Sequence, residues 1–206
     1  MTELFLSAFV TLFVVIDPPG CAPIYASLTS GASGEQRRAM AIRAVGIAAA
    51  ILLVFALWGK QLLGVLGIAL DSFRIAGGIM LFMIAMDMVF EKRTQRREDR
   101  AQKINAEEPH VEDVSVFPMA MPMIAGPGSI ATVMLLMSRA DGMAERMAVL
   151  GAVLLTLALM LGALVAAGPL MALLGRKIEA VITRLLGVLL AALAAQFVID
   201  GIKASF

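Results

Sequence analysis

The segment Ile16-Asp17-Pro18-Pro19-Gly20 lies in the middle of a long apolar stretch, and Ile124-Ala125-Gly126-Pro127-Gly128 lies at the same point of a later one. Proline removes a backbone donor and clashes with the preceding turn, and glycine lowers the cost of non-helical dihedral angles. Both segments are therefore predicted to interrupt a helix. Backbone groups freed at membrane depth are stable only where they face protein or a wet cavity. Paired breaks in two halves of a chain are typical of a transporter's binding site.

The composition indicates a polytopic membrane protein. The 206 residues are 60% hydrophobic and 16% charged, with a mean hydropathy of +0.90, whereas soluble domains are nearer half apolar and a quarter charged. The net charge of +1 gives no support to nucleic-acid binding. The single cysteine, Cys21, and the single histidine, His110, argue against a disulfide, a zinc site and a Ser-His-Asp triad. We therefore predict no metal, no cofactor and no catalytic residues.

The first apolar stretch is expected to remain in the protein as a transmembrane helix. It is not preceded by Lys or Arg, so it lacks the basic region of a signal peptide. Cys21 follows an apolar run, as the cysteine of a lipoprotein signal does, but Asp17 and two prolines come just before it. These residues make cleavage there an unfavourable interpretation.

Six stretches are long enough to cross a membrane, which takes roughly 20 apolar residues. They are residues 4–29, 39–59, 66–90, 114–138, 147–172 and 180–202. A charged segment divides the chain into a first three-helix unit (1–90), a central loop (91–113) and a second three-helix unit (114–206). Twelve of the seventeen Lys and Arg residues fall in or next to the odd-numbered loops. Because basic loops stay in the cytoplasm, both termini are predicted to lie outside.

The two halves of the sequence repeat. A shift of 108 residues places Pro19-Gly20 on Pro127-Gly128, and two further residues place Arg74 and Gly77 on Arg184 and Gly187. Each half has three spans, and three is an odd number. The second half must therefore insert upside down relative to the first, which predicts an inverted repeat.

Asp17 is the first candidate for a functional side chain. An ionisable group inside a span is costly unless it faces a cavity or a partner. It is expected to hold a coupling cation, to carry a proton or to bind the ammonium group of a substrate. The alternative is that its carboxylate caps the helix that begins at Pro18. The two roles are compatible.

Gly20, Gly126 and Gly128 are candidate substrate-binding residues through the backbone that they release. A half-helix beginning after each break presents unpaired N–H groups and the positive end of its dipole. Two such ends near the midplane suit a carboxylate, and Ser129 and Thr132 add hydroxyl groups. The alternative is that the breaks only kink helices for packing. The prolines responsible for the breaks are Pro18, Pro19 and Pro127.

Arg74 opens the third span and is a secondary candidate. Asp71 lies one turn earlier, so a local ion pair is predicted. The alternative role is an interfacial anchor whose side chain reaches the headgroups. Gly77 and Gly78 are expected to let another helix approach closely.

Asp87, near the cytoplasmic end of the third span, is a further secondary candidate, and Gln196 and Asp200 in the sixth span are weaker ones. The sequence leaves open whether these three side chains face the binding site or the membrane interface.

Three segments form a specific combination, although each alone is weak. They are Asp17-Pro18-Pro19-Gly20 with Pro23, Phe73-Arg74-Ile75-Ala76-Gly77-Gly78 continuing to Asp87, and Val116-Phe117-Pro118 through Pro122 to Ala125-Gly126-Pro127-Gly128-Ser129. With these residues the sequence resembles the MarC family of bacterial inner-membrane proteins. That family typically has six spans and a charged central cytoplasmic loop.

The resemblance implies a function in transport. The family includes a transporter of small neutral amino acids such as alanine and glycine, with ion-coupled uptake suggested, and is akin to the LysE type of exporters. Its name reflects a supposed link to multiple antibiotic resistance, which does not establish drug efflux. Asp17, Gly20, Gly126 and Gly128 fall on the family's motifs, so the resemblance implies a binding role for them.

We therefore predict an all-α membrane protein of two inverted three-helix repeats, with broken first and fourth helices. The expected function is secondary transport of a small neutral amino acid or similar metabolite, with H⁺ and Na⁺ as candidate coupling ions. The substrate carboxylate is expected at Gly20 and Gly128, and its ammonium group or the coupling ion at Asp17. A passive channel and a membrane scaffold are the alternatives, and an enzyme is the least favoured class. The lipid bilayer is the expected environment, and a homodimer is one arrangement open to it.

Overall fold

The computed structural model describes residues 2–90 and 113–206, and of residues 169–177 and 179 it describes the backbone alone. No strand occurs in these described ranges, so the all-α prediction is confirmed for them. The helices are α1 (Thr2–Ile16), α2 (Pro18–Leu28), α3 (Gly34–Val65), α4 (Leu70–Val89), α5 (Ser115–Ile124), α6 (Pro127–Arg139), α7 (Met143–Val165) and α8 (Ala167–Ser205). The predicted central loop, except for Asp113, lies outside the described residues.

The described helices agree with the six predicted spans when one bent pair is counted as a span. Five are long and apolar enough to cross a membrane alone, and the sixth is the bent pair of α5 and α6. The five are Thr2–Leu28, Gly34–Val65, Leu70–Val89, Met143–Val165 and Ala180–Ser205. The sequence placed a loop before residue 180, but α8 already begins at Ala167, because the connection from α7 is confined to Ala166.

Local sequence fixes both ends of α3. At its start the Ser33 hydroxyl accepts the Gln36 backbone N–H at 3.2 Å, and the Gln36 side chain accepts the Ser33 N–H at 2.9 Å, which completes a capping box. At its end Gly67 adopts φ 68°, and the Ile68 N–H donates to the Leu63 carbonyl at 2.9 Å. This left-handed glycine cap satisfies the last carbonyls of the helix and turns the chain towards α4.

Helices α4 and α8 pack antiparallel through glycines that both of them contribute. A Cβ on Gly78 of α4 would lie 2.9 Å from the Ala194 carbonyl oxygen, and one on Gly201 of α8 would lie 3.0 Å from the Asp71 carbonyl oxygen. Gly187 similarly lies against Ala85. Small residues at such contacts let two helix backbones approach closely in a membrane. The predicted role of Gly78 is confirmed.

Helix α1 stands between two apolar clusters. On one side it joins α2, α3, α5 and α7 around fully buried residues such as Leu12 and Leu52. On the other side Val14 and Val15 pack with α4, α6 and α8. The second half of α1 is therefore largely surrounded by protein, which places Asp17, next to its end, away from lipid.

Two ion pairs join residues near the helix ends that flank the predicted loops. Arg43, near the start of α3, forms an ion pair with Asp113, just before α5. Arg139, at the end of α6, pairs with Asp200, near the end of α8. The first pair joins the regions next to loops one and three, and the second joins loop four to the C-terminal region.

The α4–α8 contact generates a stability prediction. Gly78→Ala places a methyl group against the backbone of α8, so the helices must separate, and overpacking of this kind costs about 1–3 kcal/mol. Gly46→Ala in α3 meets no atom within 4 Å and is the matched control, expected to be neutral or stabilising. Thermal unfolding midpoints in detergent measure both. A Gly78→Ala protein as stable as the control would contradict the close packing.

Candidate functional site

Asp17 is buried at the junction of α1 and α2. Only 1% of the Asp17 surface is exposed, and its backbone is left-handed, with φ 61° and ψ 64°. A residue before proline is disfavoured in the right-handed helical region, and Asp tolerates the left-handed one better than most side chains. The Asp17 N–H donates to the Phe13 carbonyl at 2.9 Å, and the Asp17 carbonyl accepts the Cys21 N–H at 3.0 Å. Both helices are therefore hydrogen-bonded up to the break.

The sequence after Asp17 leaves a single N–H group to cap in the first turn of α2. Pro18 and Pro19 occupy the first two helical positions and have no N–H. The third, Gly20, donates its N–H to Asp17 Oδ1 at 3.1 Å. A Cβ on Gly20 would lie 2.8 Å from the carboxylate carbon, so glycine is needed there for this contact. The capping role considered for Asp17 is confirmed.

The two predicted breaks differ in geometry. The predicted interruption of the first helix is confirmed at Asp17, but α1 and α2 form one continuous span, because a single left-handed residue keeps the hydrogen bonds on both sides. Helices α5 and α6 meet at 51°. The bend lies at Ala125 (φ −93°, ψ 54°) and Gly126 (φ −77°, ψ 171°), whose extended backbone ends the helical path.

Helix α5 carries two further irregularities that the sequence analysis did not predict. Phe117 and Met121 have extended dihedral angles, with φ −127° and −132°. Each precedes a proline, Pro118 and Pro122, which disfavours helical angles in the residue before it. Pro118 and Pro122, four positions apart, were the feature of the sequence that could have predicted these irregularities.

The start of α6 has no side-chain cap. Gly126 stands at the capping position and has no side chain to offer, and Pro127 has no N–H. The next two amides belong to Gly128 and Ser129, which are both buried. In contrast to α2, this positive helix end has no carboxylate of its own chain as an N-cap.

The two breaks lie close together. A Cβ on Gly128 would be 3.7 Å from Cγ1 of Val15, which is two residues before Asp17, and would press on the side-chain end of Ile84 in α4. Helices α1 and α6 also contact each other directly. The buried carboxylate of Asp17 and the uncapped N-terminus of α6 therefore belong to one region of the protein interior.

The predicted hydroxyl groups lie in this region. Ser129 and Thr132 are 3% and 0% exposed. The Thr132 hydroxyl donates to the Gly128 carbonyl of its own helix at 2.7 Å, which leaves its lone pairs as acceptors.

The secondary candidates Arg74 and Asp87 lie towards the two ends of α4. Arg74 donates to Asp71 Oδ1 at 3.4 Å, as predicted. Asp87 lies at the other end, in the layer where Gly187 contacts Ala85 and Met88. The structure thus places Arg74 and Asp87 at opposite ends of α4.

The sequence analysis missed the partner of Asp200. Arg139 of α6 donates to Asp200 and lies over the Phe197 ring, 4.4 Å from its centroid. Gln196 donates to the other carboxylate oxygen of Asp200 at 2.6 Å. Gln196 and Asp200 thus serve an ion pair that ties α6 to α8. The only hint of this ion pair in the sequence is a charged residue, Arg139, at the end of a predicted span. The two partners are 61 residues apart, so no local pattern links them.

Comparison with known proteins assigns the family. Residues 2–206 match the family described as MarC family integral membrane protein. The chain belongs to the MarC family. The resemblance carried by the three sequence segments is therefore confirmed, and no solved structure matches the chain.

Relatives of the MarC chain are similar over nearly their whole length. A UPF0056 membrane protein of Archaeoglobus fulgidus is 37% identical over 199 residues, covering 96% of this chain and 92% of its own. YvbG of Bacillus subtilis is 33% identical over 211 residues, covering 100% and 97%. YhcE of Escherichia coli is 33% identical over 198 residues, covering 96% and 91%. Both are named UPF0056 membrane proteins, and these names specify no activity.

Two substitutions of Asp17 distinguish the stability contributed by its helix cap from that contributed by its charge. Asn at position 17 still accepts the Gly20 N–H and tolerates the left-handed backbone, so Asp17→Asn is expected to keep stability within about 1 kcal/mol. Asp17→Ala loses the cap and fits the left-handed backbone poorly, so it is expected to lose about 2 kcal/mol. Thermal unfolding in detergent compares the two. Equal destabilisation by both substitutions would mean that the charge, not the cap, holds the junction.

Proposed function

We propose that this MarC protein is a secondary transporter of small neutral amino acids or similar small metabolites. The observation that carries the proposal is that Val15, two residues before Asp17, lies against Gly128 at the start of α6. The Asp17 carboxylate is negative, and the uncapped N-terminus of α6 is the positive end of a helix dipole. A zwitterionic amino acid needs both. The surrounding residues Val15 and Ile84 are apolar, which suits a small neutral side chain.

The substrate carboxylate belongs at α6 in this proposal. The Gly20 N–H already donates to Asp17, so the start of α2 is occupied by an anion of the chain itself. Gly128 and Ser129 begin a helix that has no such cap, and a helix N-terminus of this kind binds anionic groups. Gly126 lies at the bend and offers no side chain to cap these amides. The sequence analysis expected the substrate carboxylate at both Gly20 and Gly128. This proposal assigns it to Gly128 alone.

The substrate ammonium group, or a coupling H⁺ or Na⁺, belongs at Asp17. A carboxylate has about four lone-pair sites, so it can accept the Gly20 N–H and a cation together. Binding a cation also lowers the cost of keeping a charge inside the membrane, which makes the site's occupancy sensitive to ion gradients.

Helix packing supports an inverted repeat as the framework of this transport. Helix α3 packs on α5 and α6, as α7 packs on α1 and α2. Helix α4 packs on α6, as α8 packs on α2, and α4 and α8 pack on each other. Exchanging the two halves of the chain leaves these pairs unchanged. Rocking of such repeats around a central site gives alternating access.

The location proposed with this function is the bacterial inner membrane, with both termini outside. Twelve of seventeen basic residues lie in or beside the odd-numbered loops, whose flanking helices meet at one end of the bundle.

Uptake of labelled alanine and glycine into proteoliposomes, with and without imposed H⁺ and Na⁺ gradients, tests the proposal. Saturable uptake that follows one gradient is the expected result and identifies the coupling ion. Flux that neither saturates nor follows a gradient would indicate a passive pore instead. Absence of flux for these and a wider panel of zwitterionic metabolites would favour a scaffold role.

Asp17→Asn is expected to abolish gradient-driven accumulation while the protein stays folded, because the site loses its negative charge and keeps its cap. Asp141→Asn is the matched control, since Asp141 is exposed beside α7 and the chemical change is the same. Initial rates and plateau levels of uptake are measured for both. Full accumulation by the Asp17→Asn protein would remove Asp17 from the mechanism.

The helix-end site predicts that competitors need a carboxylate. Unlabelled L-alanine is expected to inhibit uptake, and L-alaninamide, which keeps the ammonium group, is expected to inhibit at least about tenfold less, because hydrogen bonds to charged groups contribute about 1.5–3 kcal/mol. Inhibition constants in proteoliposomes give the comparison. Equal inhibition by the amide would place the carboxylate outside the recognition site.

A further inference from the structure

A cavity lies at the other end of α6 from the break, between α3, α6 and α7. Its volume is about 180 Å³. It lies at the end of the bundle to which the even-numbered loops belong, where α3 ends and α7 begins. The lining residues that matter for its chemistry are Lys60, Gln61, Met134, Met143, Arg146 and Met147.

The cavity is positively charged. Lys60 and Arg146 both line it, and no carboxylate side chain is among its described lining residues. Neither cation forms an ion pair with a described residue, whereas Arg43, Arg74 and Arg139 all do. Two unneutralised cations in one concavity concentrate anions, because low-dielectric walls focus the field.

The start of α7 adds to this potential. Met143 is the first residue of α7 and lines the cavity, so the positive end of a 23-residue helix faces it. Gly142 provides no side-chain cap for that helix. The nearby Glu145 carboxylate accepts the Asp141 N–H at 2.7 Å and is not part of the lining.

The opposite wall of the cavity is apolar and adaptable. Methionine side chains are flexible and fit ligands of varied shape. Met134 also lies directly over Gly59, where a Cβ would be 2.7 Å from its Cγ, so this wall depends on a glycine in α3. Met134 follows Gly128 by six residues of α6, which is about 9 Å along the helix. The cavity and the proposed central site are thus successive points along one helix.

We propose that this cavity is an outer binding site for a small carboxylate-bearing molecule, with the carboxylate held by Lys60 and Arg146 and the apolar part against the methionines. The inference rests on the proposed function for the identity of that molecule, a neutral amino acid on its way to or from α6. Anion binding by Lys60 and Arg146 is measured without transport.

A single introduced cysteine gives the test. Met147 lines the cavity and is 58% exposed, so Met147→Cys places a thiol there, and the native Cys21 is fully buried, so the unmodified chain is the blank. An anionic methanethiosulfonate is expected to react faster than a cationic one. Adding Lys60→Gln and Arg146→Gln is expected to lower this anion-to-cation rate ratio by at least about tenfold, because each nearby cation favours the anionic reagent and disfavours the cationic one. Lys203→Gln, which removes an exposed cation outside the cavity, is expected to leave it unchanged.

Protection from labelling identifies the ligand class. L-Alanine is expected to slow modification of Met147→Cys, and L-alaninamide is not. Leu66→Cys, exposed in the loop between α3 and α4, is the control and is expected to show no protection. Repeating the measurement in liposomes of neutral and of anionic phospholipid separates a soluble carboxylate from a lipid phosphate. Protection by anionic lipid alone would overturn the proposal.

The remaining outcomes separate this inference from the proposed function. Protection by L-alanine in a protein that transports nothing would retain the outer site and reject transport. Saturable uptake with an unchanged KM in the Lys60→Gln, Arg146→Gln protein would retain transport and reject the outer site. An anion-to-cation ratio that the double substitution does not change would also reject it.

Discussion

The structure depends on how backbone N–H groups are satisfied where helices are interrupted inside a membrane. A buried N–H without a partner costs about 1–3 kcal/mol, and lipid offers none. At α2 the chain meets this constraint with two prolines that have no N–H and one carboxylate, Asp17, that accepts the next N–H. At α6 it uses one proline and no cap. The Pro-Gly motif is thus followed by one helix start with a carboxylate cap, at α2, and one without a side-chain cap, at α6.

The surrounding packing holds these two ends together. The glycine contacts between α4 and α8 bring two backbones close, and Gly77 of α4 lies against Leu135 of α6. Arg139 and Asp200 join the far end of α6 to α8. Helix α6 therefore contacts α4 or α8 along its length and also packs on α3 and α1, while α1, which ends next to Asp17, packs chiefly on α7. A movement of α6 relative to α1 would change the distance between the Asp17 carboxylate and the start of α6.

The spans and the positions of the breaks could be predicted from the sequence, whereas the break angles and the long-range contacts could not. Apolar length gave the six spans, and the Pro-Gly pairs gave both break positions. The break angles could not be predicted, because the Asp17 junction is straightened by hydrogen bonds to Phe13 and Cys21 that the motif does not encode. The Arg139–Asp200 pair and the cavity at Lys60 and Arg146 depend on contacts between residues distant in sequence. Local patterns carry no information about such contacts.

The departure from symmetry is informative about function. Two identical uncapped helix ends would suit an anion but would leave the ammonium group of a zwitterion without a partner. The capping position is Asp17 at α2 and Gly126 at α6, so one positive helix end has a carboxylate beside it and the other does not. The 108-residue shift aligns Asp17 with Ala125 and Pro18 with Gly126, so two positions distinguish the two breaks. The proposed recognition of a small zwitterion uses this difference between the helix ends, whereas conduction of a simple ion would not require it.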